Sequence, residues 1–438
     1  MLLLALTFAL GLGTAVNGPA FQAIYADLVP AEDVPQAFAL GAMTYNVGRA
    51  VGPALGGLLI AAGPPWVFTI YAVSFLGVIV VVFAWKSSPT VSRLPMESLA
   101  GATRACLRYG ANAPVLRGVL ARTALFILPA AALQALLPTV VRERLHLSSG
   151  GYGVLLGCFG IGAALSAVVR PRLTARFSPD RLVVISSLVT AGSLAVVGGI
   201  AVTALACMAL FFGGFAWTIA TTTANVAAQS ALAPWVRARG LGLYLLVITG
   251  SVAIGSALWG FVSEWSLVGA HFVATGATIV GLAGSWRWRL SEVFEFDLTP
   301  VPGADPIVTL IPGPTDGPVV VTVAYVVPDP DIVDFAASMK VVEGHRRRTG
   351  AYQWGLFRDL EAPNRFLEIF HVESWVEHLR QHQRSTARFD AMYEHPGSYL
   401  DTRQPVHHLL SAFSPGGLEP LAPHDEQAPA PMGDRSAR

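Results

Sequence analysis

Nine apolar stretches, each about as long as a bilayer is thick, leave few folds open to this chain. They run over residues 1–23, 37–61, 66–85, 117–138, 151–170, 182–202, 204–227, 241–263 and 268–286. A hydrocarbon core of about 30 Å takes about 20 helical residues to cross. Inside it a backbone must satisfy its own polar groups, so each stretch is expected to be a helix. Composition agrees, with 53% hydrophobic and 13% charged residues, where soluble domains carry roughly 25% charged. A soluble helical core of this size would need polar faces that these stretches lack.

The net charge of +1 divides unevenly along the chain. Residues 1–290 carry 17 Lys and Arg against 7 Asp and Glu, whereas residues 291–438 carry 12 against 21. The first part reads as a membrane body with basic connections, and the second as a separate soluble region. Basic residues gather at Lys86, Arg93, Arg104, Arg108 and Arg117, at Arg170, Arg172, Arg176 and Arg181, at Arg237 and Arg239, and at Arg287 and Arg289. The positive-inside rule puts all four groups on the cytoplasmic side, and even numbers of spans separate them. Arg142 and Arg144 are the exceptions. The expected setting is a bacterial inner (plasma) membrane, crossed many times, with the C-terminal region in the cytoplasm.

The second stretch holds an unusual run. Gly48, Gly52 and Gly56 recur every fourth residue and stack on one helix face, with Gly57 beside them, which lets a neighbouring helix approach closely. Pro53 removes a backbone hydrogen bond and bends the helix. Arg49 places a charge near mid-span, which is costly unless it faces protein or water. Asn46 lies three residues away on the same face. Such a helix suits a moving transporter better than a passive anchor. Shifted by 203 positions, residues 50–57 lie over Ala253-Ile254-Gly255-Ser256-Ala257-Leu258-Trp259-Gly260 with five identities in eight. Two related bundles joined by a long cytoplasmic connection at 86–116 are therefore expected.

The run Gly48-x3-Gly52-Pro53-x2-Gly56-Gly57 resembles the antiporter motif of the fifth helix in drug-exporting major facilitator superfamily transporters. Pro19-Ala20-Phe21-Gln22-Ala23, Leu28-Val29-Pro30, Asn46-x2-Arg49-Ala50-Val51 and Trp235-Val236-Arg237-Ala238-Arg239 are similar to the enterobactin-exporter-like branch, the transmembrane secretion effector family. That resemblance implies that the nine stretches are family helices four to twelve. Residues 1–85 would be a partial N-terminal bundle and 117–290 the six-helix C-terminal bundle. About three N-terminal helices are then expected to be missing, since transporter halves usually match; a genuine nine-span protein is the alternative. Arg170-Pro171-Arg172 through Asp180-Arg181 resembles a degenerate Gly-x-x-x-Asp-Arg loop motif, which implies gating of the cytoplasmic side.

Asn46 and Arg49 are expected to line the transport pathway, the competing role being hydrogen bonding to an adjacent helix. Arg122 lies about two turns into its span and either joins the pathway or snorkels toward the cytoplasm. Asn225 and Gln229, four apart, either line the cavity or act as buried glue. No acidic residue lies within the spans away from their ends, so proton coupling is implied by the resemblance alone. No phosphate-binding loop occurs, which disfavours ATP-driven transport. Cys106, Cys158 and Cys207 have no metal-type spacing and are expected to be free thiols.

Residues 291–317 are rich in Pro and Gly and read as a linker. A compact pattern follows in 318–414: strand 319–327, helix 330–347, strands 351–358 and 365–372, a helix from the Ser374 cap to about 394, and strand 405–413. The Ser374 and Glu377 pair is a capping-box signature. The order βαββαβ is ferredoxin-like, and it resembles the antibiotic-biosynthesis-monooxygenase type of dimeric α+β domain. Trp354, Trp375 and several histidines admit a cofactor-free monooxygenase pocket, but fold alone implies no chemistry. His378 and His382 stand one helical turn apart without an obvious third ligand, so a solvated helix face is expected and no metal. Residues 415–438 read as disordered.

The expected fold is therefore an all-α polytopic membrane protein of major facilitator type with a cytoplasmic ferredoxin-like α+β domain. The expected function is secondary active export of a siderophore or drug-like small molecule by alternating access, without enzymatic activity, cofactor or nucleic-acid partner. The bilayer is its solvent, and the C-terminal domain is a regulatory or self-association module. The alternative is a truncated membrane protein that no longer transports, with a regulatory or monooxygenase tail.

Overall fold

The structure is a computed structural model that describes residues 13, 40, 41, 44, 64–84, 99–290, 297–301, 303, 306, 308, 309, 312–401, 403 and 406–411. The chain divides into two compact units, with the main division after Pro300.

The first unit is helical: α1 (Pro64–Ala84), α2 (Leu99–Asn112), α3 (Pro114–Ala130), α4 (Ala132–Ala135), α5 (Leu137–Glu143), α6 (Ser149–Thr174), α7 (Pro179–Gly199), α8 (Thr203–Ser230), α9 (Arg237–Ser263) and α10 (Leu267–Gly284). Among the described residues, six stretches are long and apolar enough to cross a bilayer: Pro114–Glu143, Gly150–Thr174, Pro179–Gly199, Thr203–Ser230, Arg239–Ser263 and Leu267–Arg287. They overlie the last six stretches read from the sequence, and α1 overlies the third. The first two, 1–23 and 37–61, lie outside the described residues apart from Gly13, Leu40, Gly41 and Thr44.

Local chemistry sets the helix ends. Ser178 caps α7 by accepting from the Arg181 amide at 3.4 Å, with Pro179 in the first turn. Ser266 caps α10 by accepting from the Gly269 amide at 2.9 Å. Between α7 and α8 the β-branched Ile200 and Val202 are both extended, which ends one helix and starts the next. On α6 the exposed side chains Val154, Ile161, Leu165 and Val168 form one apolar stripe, the surface that lipid would cover.

Helices α6 and α8 approach until backbone meets backbone. A methyl group at Gly162 would overlap the Phe211 carbonyl, and one at Gly214 would overlap the Phe159 carbonyl. The crossing therefore requires glycine on both sides. Gly214→Val is expected to part the helices and destabilise the unit by about 1–3 kcal/mol or more. Thermal unfolding of the detergent-solubilised protein reads this; an unchanged midpoint would mean that the close crossing does not form.

The second unit is a four-stranded antiparallel sheet with helices: β1 (Val319–Val326), α11 (Ile332–Thr349), β2 (Gln353–Arg358), β3 (Arg365–Val372), α12 (Trp375–Gln383), α13 (Ala387–Gly397) and β4 (Val406–Leu410). The strands lie in the order β2-β3-β1-β4. Alternation decides the core: Val319, Val321, Val323 and Tyr325 of β1 and Phe366, Phe370 and Val372 of β3 point inward. They pack on Phe335, Met339 and Val342 of α11. The single helix expected from Ser374 to about 394 is instead two. Arg384 ends the first by turning back, donating to the Thr349 carbonyl and to Glu377, each at 2.6 Å.

Candidate functional site

The helical unit buries a guanidinium against a partly exposed carboxylate. Arg122 of α3 is only 6% exposed. Its guanidinium donates to the Asp180 carboxylate in a close ion pair and to the Trp288 carbonyl at 2.9 Å. Asp180 stands in the first turn of α7, where the helix dipole favours a negative charge. Its carboxylate also accepts from the Leu290 amide at 2.9 Å. Three segments far apart in sequence, α3, the start of α7 and the stretch after α10, are thus joined through one carboxylate. The void beside Arg122, lined partly by Thr123, Phe126, Val183 and Thr221, measures about 10 Å³. That is room for about one water.

The sequence assigns Arg122 and Asp180 to different groups, one to the pathway or a snorkelling role and one to the gating loop; the fold brings them together. Arg172 and Arg181 are exposed, and the half-buried Arg170 keeps its Nε without a hydrogen-bond partner among the described residues. Gln229 donates to the Asn225 side-chain carbonyl at 2.6 Å, so the two amides form a pair on α8. Asn46, Gly48, Arg49, Gly52, Pro53, Gly56 and Gly57 lie outside the described residues.

Other polar groups inside the spans are mostly turned onto their own helices. Ser187 donates to the Val183 carbonyl and Thr221 to the Trp217 carbonyl, both at 2.8 Å. Such i−4 bonds satisfy a hydroxyl without leaving it free for a ligand. His271 of α10, which no sequence motif singles out, is fully buried; its Nδ1 lies 2.8 Å from the Leu267 carbonyl and its Nε2 has no partner among the described residues. An ionisable group inside a span is the signal that marks it.

The second unit has a polar interior. Glu368 of β3 is 0% exposed, and its carboxylate accepts from Arg346 Nε at 3.0 Å, Trp354 Nε1 at 2.9 Å and the Tyr325 hydroxyl at 3.0 Å. The Tyr325 and Tyr393 hydroxyls bond at 2.9 Å, and Arg346 lies over the Phe370 ring at 4.6 Å. Burial alone would lower the Arg346 pKa, but the Glu368 carboxylate outweighs it and holds the guanidinium above its ordinary value. Burial, reinforced by Glu368, raises Tyr325. Every strong donor around this carboxylate is engaged, which leaves Trp354 no free N–H for a substrate.

The helix face at His378 and His382 is not solvated as expected. His378 is 1% exposed, because the inner face of β4 closes over it and brings a third imidazole, His408. Burial, then the neighbouring His382 and His408, lowers His378 to about 3, so its ring is neutral.

Comparison with known proteins then places the chain. The enterobactin exporter EntS of Citrobacter koseri is 26% identical over 271 residues, 59% of this chain and 64% of that protein. The chain therefore spans a little under two thirds of that relative's length. Among solved structures, a single-substitution variant of the nucleoside transporter NupG matches 64% of this chain and 73% of its own, at 16% identity and a TM-score of 0.41. A candidate antibiotic biosynthesis monooxygenase from Bordetella bronchiseptica matches 22% of this chain and 99% of its own, at 23% identity and a TM-score of 0.20. Over residues 1–414 the chain matches the family model described as transmembrane secretion effector, and it belongs to that family of major facilitator transporters.

Proposed function

We propose that this protein is a secondary active exporter of a small molecule, a siderophore of the enterobactin type, working by alternating access across a bacterial inner membrane. Membership of the transmembrane secretion effector family over residues 1–414 carries this reading. The charge pattern of the connections supports a cytoplasmic C-terminal unit. On that orientation the Arg122–Asp180 pair is a cytoplasmic clasp that must rearrange when the inner side opens. Asn46, Arg49 and the glycine run of residues 48–57 are the pathway and antiporter helix, with Asn225 and Gln229 facing the same route.

Export of this kind is coupled to protons, and a proton needs a titratable group within the bilayer. His271 is our candidate, because its partnerless Nε2 is the site a proton would occupy. The C-terminal unit is a ferredoxin-like domain whose second helix is split into α12 and α13, given its βαββααβ order and the strand order β2-β3-β1-β4. Its outer sheet face keeps Phe357 and Leu409 exposed, which favours self-association over catalysis.

Expression in a bacterial strain lacking its own enterobactin exporter tests this. The chain is expected to raise extracellular catecholate several-fold over an empty vector, and collapse of the proton gradient is expected to abolish the gain. His271→Gln is expected to remove the gradient dependence. Export at the vector level, with the chain present in the membrane, would reject the substrate and the direction together.

A further inference from the structure

We infer that His378, His382 and His408 form a binding site for a divalent transition-metal ion of the zinc class. The three imidazoles would be its protein ligands, and a fourth position would be open to water or an anion. The inference is independent of the transport reading, since it concerns only the second unit.

Two periodicities make the site. His378 and His382 are four residues apart on α12 and share one face. On β4, His408 is paired in register with Val321, a core position, so its ring turns inward, whereas His407 on the same strand takes the other face. The ring centroids of His378 lie 4.8 Å from those of His382 and 5.0 Å from those of His408. The ligand nitrogens of all three lie within 4.8 Å of one another. Zinc bonds of about 2.0–2.1 Å in a tetrahedron need nitrogens about 3.3 Å apart. His382 and His408 are half-buried, so rotation of these two rings can close the remaining gap, and their exposed edges give the ion a way in.

The buried member of the set is the second observation. His378 turns Nδ1 toward the Gln381 side-chain oxygen at 3.3 Å, and its Nε2 is buried without a hydrogen-bond partner among the described residues. A buried polar nitrogen left unpaired is costly, and metal ligation would satisfy it. Gln381 plays the orienting part that metal-bound histidines require. It is itself held by donating to Thr349 Oγ1 at 3.3 Å and the Arg346 carbonyl at 3.4 Å. A donor set of imidazoles without carboxylate suits zinc, nickel, copper or cobalt and not calcium or magnesium.

The full chain, purified in detergent with a tag other than polyhistidine and stripped with chelator, is titrated with Co²⁺ and then with Zn²⁺. One equivalent of Co²⁺ is expected to bind with the visible absorption of a tetrahedral ion, and Zn²⁺ is expected to displace it. His382→Ala and His408→Ala are each expected to weaken binding about 100-fold or more, and Gln381→Ala about 10-fold. His407→Ala is expected to bind as the wild type does. Melting of each metal-free variant at the wild-type temperature separates ligand loss from misfolding. Absence of a saturable one-equivalent signal in the wild type overturns the inference. So does a signal that survives both His382→Ala and His408→Ala.

Discussion

Asp180→Ala is expected to destabilise the helical unit by about 3–5 kcal/mol, because it leaves a buried guanidinium without its counter-charge. The reciprocal change should be milder. With Arg122 truncated, Asp180 is still 24% exposed on its side chain. It also keeps the Leu290 amide and sits at a helix N-terminus, both of which favour a carboxylate. Replacing both together, as Arg122→Met with Asp180→Leu, is expected to recover much of the loss, since an apolar pair needs no desolvation of charge. Thermal unfolding of the wild type, Arg122→Met, Asp180→Leu and the double variant in one detergent gives the coupling. If the losses from Arg122→Met and Asp180→Leu simply add in the double variant, the two residues do not interact and the clasp is wrong. If the pair is the clasp proposed above, transport should separate from stability: the apolar pair is expected to fold and to export poorly, because the contact can no longer be exchanged for water.

Glu368→Ala is expected to be the most damaging single change in the second unit. It removes one carboxylate from three donors at once, Arg346, Trp354 and Tyr325, and strands the first two, while Tyr325 keeps the Tyr393 hydroxyl. Loss of one partner of a buried ion pair costs about 3–5 kcal/mol, and the neutral orphan, Trp354, adds about 1–3 kcal/mol. A domain typically holds only about 5–15 kcal/mol in total, so residues 319–410 should lose their fixed packing. Glu368→Gln keeps one acceptor but leaves the Arg346 charge uncompensated, and an intermediate loss is expected. Limited proteolysis and near-ultraviolet circular dichroism report the outcome. Wild-type protection in Glu368→Ala would mean that the carboxylate is not the centre of this interior.

Period and length carried much of the fold. Residues 182–202 and 204–227 are continuous in apolarity, and the boundary fell correctly near Val202 because extended β-branched residues interrupt the helices there. Strand β3 spans Arg365–Val372, the range read from the sequence. Strand parity also put Glu368 on the inner face between Phe366 and Phe370, a signal present in the sequence and passed over. What tertiary contact decides could not be read in advance. Arg122 and Asp180 are 58 residues apart, and no local rule pairs them. His408 sits 26 residues beyond His382 and is brought to it by strand order alone. The break at Arg384 likewise depends on Glu377 and Thr349, which local helix propensity does not see.

Pro129 has a consequence of its own. It lacks the amide that would close a rung with Leu125, and α3 gives way to α4 just after it. Trp259 of α9 donates its indole N–H to the Leu128 carbonyl at 2.8 Å, beside this gap. A helical rod flexes where a rung is missing, so torque applied at either end of residues 114–143 is concentrated at the α4–α5 break and at this joint. Trp259 is its bolt: bending there must first draw the indole out.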